Sequence, residues 1–278
     1  MRWKLATLTV LEWIAGLARR LRLGFLVDRL APRIGRPFEH FVLDIDGVSL
    51  GGTSLSQLHY ARELLEQGRE QTFVRLLSEA VPRGGTVLEG GAHLGFVTVH
   101  AARAVGPDGR VIAFEPNGDV HPSLCENLAA NGVAERVELI PKALGDSAGR
   151  ARFFVRDDTS SLVDLASDAV PVEVEVVRAD EEIAGPIDVV KLDIEGGESA
   201  ALRGMAGLLS GSRPPAAIFA ECYPQLLEAA GSSSEELISV LEGHGYRVEW
   251  IDEAAGRAIP LSEPWTGDYV NLVCRRES

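Results

Sequence analysis

From residue 86 onward the sequence alternates short apolar runs with amphipathic stretches, and this alternation limits the fold more than any other feature. Runs beginning at Thr86 and spanning 111–114, 137–140, 187–192 and 216–220 are too short for helices. They are apolar on successive residues, as strands buried on both faces are. Between and after them, 94–105, 121–130, 198–209 and 235–244 carry helical periodicity, and Asn131-Gly132 closes one of these stretches. Runs at 246–251 and 269–275 add two last strands. Strands separated by helices build a mostly parallel sheet covered on both faces. The expected architecture is therefore α/β and Rossmann-like, with seven strands. Two further runs, 151–155 and 172–177, interrupt the rhythm as an insertion. In such sheets ligands bind beyond the carboxyl ends of the strands, where strand order reverses. The residues just after each strand are the ones to read for chemistry.

The first 80 residues do not share this rhythm, so the chain divides into an extension, 1–80, and a Rossmann-like domain, 81–278. The extension holds a hairpin, 41–44 and 48–50 around Asp46-Gly47, then a helix over 70–81. Pro82 and Gly84-Gly85 stop that helix. At its start, Trp3, Val10, Ile14, Leu17 and Leu21 form one stripe of an amphipathic helix among arginines. The run is shorter than a membrane span needs and Glu12 interrupts it. It has no small-residue cleavage region of the kind a signal peptide carries. Residues 1–36 carry eight basic and two acidic side chains, +6, so the rest carries −20 of the total −14. The stripe can pack on the main domain, pair two copies, or lie on an anionic membrane or a lipid-linked acceptor. An acidic chain excludes general nucleic-acid binding, which needs clustered Lys and Arg. Three separated cysteines, Cys125, Cys222 and Cys274, form no disulfide framework and fit a reducing cytoplasm, with attachment to a membrane surface as the alternative.

Three strand ends carry the chemistry. The first reads Glu89-Gly90-Gly91-Ala92-His93-Leu94-Gly95. Small residues there let backbone approach a ligand while the next helix aims its N-terminus at it. The loop lacks the GxGxxG of dinucleotide sites; an acidic residue before GxxxG suits S-adenosylmethionine. The second reads Phe114-Glu115-Pro116-Asn117, with Glu115 26 residues past Glu89. A carboxylate there can accept from both ribose hydroxyls of a nucleoside; alternatively it caps the next helix. The third runs from Val189 through Lys191, Asp193 and Glu195 to Glu198. Period-two alternation puts Lys191, Asp193 and Glu195 on one side. Burying so many ionisable groups needs a purpose, although Glu198 also suits a helix start. Glu221, at the end of the next strand, falls beside Asp193 if the strands are neighbours.

Residues 86–222 resemble the FkbM family of methyltransferases. The resemblance rests on 87–95, 113–117, Ala143-Leu144-Gly145-Asp146, Ser160-Ser161-Leu162, Arg178-Ala179-Asp180 and 191–198. The family usually has Asp where Glu89 stands and Asn where His93 stands. The resemblance implies a class I methyltransferase fold with S-adenosylmethionine as cofactor. It places Glu89, Gly91, Ala92, His93, Gly95, Phe96, Glu115, Pro116, Asn117, Ala143 and Asp193 against that cofactor. Acceptors in the family are mostly hydroxyls of sugars, glycolipids and natural products. Ser160 and Ser161 lie in the insertion, which forms either a lid over the acceptor or a polar turn in solvent, and Glu195 and Tyr223 are placed on the acceptor side of the site.

Methyl transfer needs two positioned reactants and a base for the acceptor's proton. Asp193 is the first candidate, with Lys191 keeping it ionised, and Glu221 or His93 are alternative bases. A metal-free site is favoured; Asp193 and Glu221 could instead hold a divalent metal. O-methylation of a small-molecule or glycosidic hydroxyl is the leading reading. N-methylation of an amine, and a non-catalytic binding protein, are its rivals. An NAD-linked oxidoreductase is disfavoured by the missing GxGxxG and Tyr-x-x-x-Lys patterns.

Overall fold

The computed structural model describes residues 40–68, 70–155, 160–162, 170–263, 265 and 268–276. The stripe from Trp3 to Leu21 lies outside them. The chain divides after Gly68 into two compact units.

In the first unit, β1 (Phe41–Ile45) and β2 (Val48–Gly52) form an antiparallel hairpin. Its turn residues Asp46 and Gly47 both have positive φ, 51° and 75°. That geometry matches the twist of the flanking strands and explains why Asp-Gly stands there. The sequence reading left helix α1 (Leu55–Gln67) unassigned. Its start is fixed by Ser54, whose side chain accepts from Gln57 N–H at 3.2 Å, and by Gln57 Oε1, which accepts from Thr53 N–H at 2.7 Å.

The second unit holds an eight-stranded sheet. Its parallel strands are β3 (Thr86–Gly90), β4 (Arg110–Phe114), β5 (Val137–Ile140), β9 (Val189–Leu192) and β10 (Ala217–Cys222). Antiparallel strands β13 (Val270–Arg276), β11 (Tyr246–Asp252) and β12 (Arg257–Pro260) complete it. The spatial order is β5-β4-β3-β9-β10-β13-β11-β12. It has one strand more than the sequence rhythm indicates. The extra strand, β12, is a short edge ending in Pro260, a residue tolerated only where no neighbour needs its N–H.

Order reverses between β3 and β9: from β3 the chain builds toward β5, then returns to build outward from β9. The insertion forms a separate three-stranded sheet, β6 (Ala143–Leu144), β8 (Val170–Val177) and β7 (Gly149–Val155). Register rows set the two faces of the main sheet. Leu88, Val190, Ile218 and Cys274 form one row. They belong to a core with Leu202, Leu209, Leu237 and Leu241 from α4 (Glu198–Gly204), α5 (Ala206–Ser210) and α6 (Ser234–Gly243), and with Met205 between the first two of these. The alternate row is Glu89, Lys191, Phe219 and Val273. Phe219 meets Phe73 of α2 (Gln71–Ala80) edge to face at 5.4 Å, so this row faces the α2 side. Two charged residues, Glu89 and Lys191, therefore lie side by side in the middle of this row.

The single helix expected over 198–209 is two. The chain breaks at Met205, and the Asp180 carboxylate accepts from Gly207 N–H and Leu208 N–H, both at 2.8 Å, capping the second piece. Among the described residues no helix is long and apolar enough to cross a membrane.

Candidate active site

The register Gly90–Leu192–Ala220 aligns the ends of β3, β9 and β10, and Gly90 also pairs with Phe114 of β4. Gly91, Asp193, Glu221 and Glu115 consequently follow on one edge, at the point where strand order reverses. This is the place where doubly wound sheets bind ligands.

The first loop is pulled tightly onto the third. Gly91 has φ +79°, and a Cβ there would stand 1.9 Å from the Asp193 carbonyl oxygen, so no other residue fits. Lys191, 2% exposed, donates to the Gly91 carbonyl at 2.5 Å and to the Gly90 carbonyl at 3.4 Å. Its Nζ also lies 3.7 Å from Glu89 Oε1 and 3.7 Å from Asp193 Oδ2. Burial alone would lower the Lys191 pKa, but Asp193 and Glu89 outweigh it and leave it raised. The ammonium thus stays charged and ties the two loops together. Glu89 is 1% exposed and neither carboxylate oxygen has a close hydrogen bond. Desolvation raises its pKa against the opposing pull of Lys191.

Glu115 holds the same loop from the other side. Its Oε2 accepts from His93 N–H at 2.8 Å and its Oε1 from Asn117 N–H at 2.9 Å. Glu115 does not cap the helix that follows, His121–Ala130, whose N-cap Val120 has no side-chain bond; the two N–H groups it holds belong to loops. Each of its oxygens keeps a second lone pair for a hydroxyl. Burial raises its pKa. His93 has φ +47°, a left-handed conformation in which Asn is the commoner non-glycine residue. That gives a backbone reason for Asn being usual at this position in the family it resembles.

Beyond Leu192 the extended alternation ends. Glu195 has φ +55°, and Gly196, φ +98°, has no room for a Cβ beside the Leu226 carbonyl. This turn, not strand periodicity, brings Glu195 back toward Asp193. Asp193, Glu195 and Glu221 each present an oxygen within 4.8 Å of the others. All three are half-buried, and 38% of the Asp193 side chain is exposed. Glu221 has its pKa raised well above the carboxylate range, first by burial and then by the charges of Asp193, Glu195 and Glu198. Glu198 is buried, accepts from Ile194 N–H at 2.8 Å and is pushed up to about 7 by desolvation.

Not every residue read from the sequence converges here. Ala143 is buried against Phe153, Val174 and Val176 in the core of the small sheet. Phe96 is buried at the start of α3 (Phe96–Val105), edge to face with His100. Ala92 is buried in the first loop, and Pro116 is half-buried beside Asn117, which accepts from Asp119 N–H at 3.1 Å. Gly95 begins α3 as its N-cap. Ser161 is buried and joins the insertion to the third loop: its hydroxyl donates to the Glu195 carbonyl at 2.7 Å, and its backbone bridges to Phe154. Ser160, next to it, is half-buried. Tyr223 stacks on Tyr269 at 5.6 Å. Tyr269 escaped the sequence reading because only the antiparallel pairing of β13 with β10 brings it there.

The sequence profile of the methyltransferase FkbM domain matches residues 89–248. The chain belongs to the FkbM methyltransferase family. It is thus an S-adenosylmethionine-dependent methyltransferase, and its strand order with an antiparallel β13 is that of the class I methyltransferase fold. Solved structures similar to it include a putative rRNA methylase from Clostridium thermocellum, 14% identical, TM-score 0.49, covering 74% of this chain and 94% of that one. Another is the O-methyltransferase TomG from Streptomyces achromogenes, involved in tomaymycin synthesis and bound to S-adenosylmethionine, 19% identical, TM-score 0.46, covering 80% and 87%. An O-methyltransferase from Bacillus cereus, in complex with S-adenosylhomocysteine, is 14% identical, TM-score 0.45, covering 79% and 88%. A search of curated proteins finds no match.

Proposed function

We propose that this FkbM methyltransferase methylates a hydroxyl on a sugar, glycolipid or natural-product intermediate. The observation that supports this is the unequal pair at the sheet edge: Asp193 accessible, Glu221 beside it and driven toward its neutral form. Two carboxyls pushed apart in this way divide the roles of proton acceptor and hydrogen-bond donor. The donor set suits the cofactor. Glu115 has lone pairs left for a ribose diol, and an acidic edge suits a cationic ligand. S-adenosylmethionine, when bound, supplies a methyl group on a sulfonium with an excellent leaving group. The chain then has to position the acceptor and remove its proton. Asp193 takes the proton as the new bond forms, with the Lys191 ammonium 3.7 Å away. Glu221, carrying a proton, donates to the acceptor oxygen and orients it. Tyr223 on Tyr269 offers an aromatic wall on the acceptor side. The +6 charge of residues 1–36 extends the candidates to lipid-linked acceptors at an anionic surface.

The test is Asp193→Asn, assayed with labelled S-adenosylmethionine against a panel of hydroxyl-bearing glycosides and amines. Methyl transfer to a hydroxyl should fall ~10²–10⁴-fold while S-adenosylhomocysteine still binds. Labelling of amines only, with Asp193→Asn near wild type above the amine's pKa, would replace this reading by N-methylation.

A further inference from the structure

The carboxylate cluster has a feature that proton exchange does not account for. Among the described residues Glu221 Oε2 is sealed from solvent and has no hydrogen-bond donor, and Glu221 also presents a carboxylate oxygen to those of Asp193 and Glu195. A buried carboxylate oxygen without a donor is costly, on the order of 1–3 kcal/mol or more. Lys191 is already committed to the Gly90 and Gly91 carbonyls and to Glu89, and reaches Asp193 at 3.7 Å.

The spacing fits one ion. Oxygens held ~2.1 Å from an octahedral centre lie ~3.0 Å apart when adjacent and ~4.2 Å apart when opposite. Three oxygens within 4.8 Å of one another reach that arrangement by small side-chain rotations. The donor set is all oxygen. Cys222, next to Glu221, is buried in the core on the opposite face of the sheet, so no thiolate joins it. Such a set selects hard cations over zinc or copper. Ser161 fixes the third member by its hydrogen bond to the Glu195 carbonyl.

We propose that Asp193, Glu195 and Glu221 bind one hard divalent cation, Mg²⁺ or Mn²⁺, at the carboxyl edge of β9 and β10. The site stands whichever acceptor is used. Ion binding displaces the proton that Glu221 carries in the reading above, so the metal-bound and protonated states of Glu221 are alternatives, and only the use of the ion on an alcohol, where it would lower the pKa of the bound hydroxyl, rests on that reading. The structure thus adds Glu195 to the pair of carboxylates that the sequence had suggested as an alternative metal site.

The full chain, freed of metal by chelation, is titrated with Mn²⁺ while the free-ion paramagnetic resonance signal is followed. One ion per chain is expected for the wild type. Glu221→Gln should weaken binding by about tenfold or more, because affinity follows the number of charged ligands. S-adenosylhomocysteine should bind Glu221→Gln as it binds the wild type, showing the fold intact. If that control fails, Glu195→Gln decides in its place. No Mn²⁺ bound by the wild type below ~1 mM overturns the proposal. So does wild-type affinity in the deciding variant, since the ion then sits elsewhere. Ion binding is read without turnover, so an amine acceptor would defeat the hydroxyl reading and leave this one untouched.

Discussion

Lys191 is where the physical demands on single residues are greatest. Its ammonium is buried, yet it is balanced by Glu89 and Asp193 and donates to two loop carbonyls. Lys191→Met removes the counter-charge and leaves Glu89 buried beside nothing positive among these contacts. Breaking one side of a buried pair typically costs ~3–5 kcal/mol, and urea denaturation of the variant should show a loss of that order. A loss under ~1 kcal/mol would mean that Glu89 is held protonated and the pair contributes little. Glu115 makes a second residue-scale case. Glu115→Ala strands the His93 and Asn117 N–H groups, each bond to a charged acceptor being worth ~1.5–3 kcal/mol. The variant should lose stability as well as affinity for S-adenosylhomocysteine, while Glu115→Gln, which keeps one acceptor oxygen, should fall between. Equal stability of Glu115→Ala and wild type would show that the loop needs no such anchor. Residue identities at the site were legible in the sequence, since charged residues directly after buried strands have few cheap explanations. Their geometry was not. Alternation put Lys191, Asp193 and Glu195 on one side; that Glu89 shares the face of Lys191 is known only from the register, and Glu195 lies near Asp193 for a different reason. Its position depends on a left-handed turn at Glu195 and Gly196, where a Cβ on Gly196 would meet the Leu226 carbonyl.

At the scale of elements, the parallel strands and their helices could be read because each carries its own apolar period. The features that escaped are the ones set by tertiary partners. The break at Met205 depends on the Asp180 side chain arriving from another segment. The edge strand β12 exists because β11 offers it an open side. The insertion could be read as two strands, but not as a three-stranded sheet anchored to the catalytic edge. Ser161 is that anchor, combining a bridge to Phe154 with a hydroxyl bond to Glu195. Ser161→Ala should cost ~1 kcal/mol, the net worth of one neutral hydrogen bond. The loss should be local. Amide exchange at 194–197 should speed up, while exchange in β3, β4 and β10 stays as in the wild type. Uniform acceleration across the sheet would instead mean that the insertion is part of the global folding unit.

For the molecule as a whole, the fold gathers Glu89, Glu115, Glu198 and Glu221 at one sheet edge and raises the pKa of each, with burial the largest cause in every case. Concentrating carboxyls where strand order reverses provides the chemistry and weakens the fold, as functional sites often do. The sign of the pH dependence follows from linkage. A carboxyl whose pKa rises on folding binds its proton more tightly in the folded chain than in the unfolded one. Its contribution is complete below the ordinary value and is lost as pH rises through the folded value. For Glu198 the window runs from 4.5 to about 7. The loss across it has an upper bound of about 3 kcal/mol. Glu198→Gln removes the titration and keeps an oxygen that can accept from Ile194 N–H. Denaturation midpoints measured from pH 5 to pH 8 should therefore fall for the wild type and fall less for the variant, the gap widening with pH. The other three raised carboxyls remain in both proteins, but the Glu198 charge also raises Glu221, so the difference between the two curves reads Glu198 together with its coupling to Glu221. Parallel curves would mean that the Glu198 proton is bound no more tightly in the folded chain. The decline of the wild type would then have to come from the other raised carboxyls, Glu89, Glu115 and Glu221.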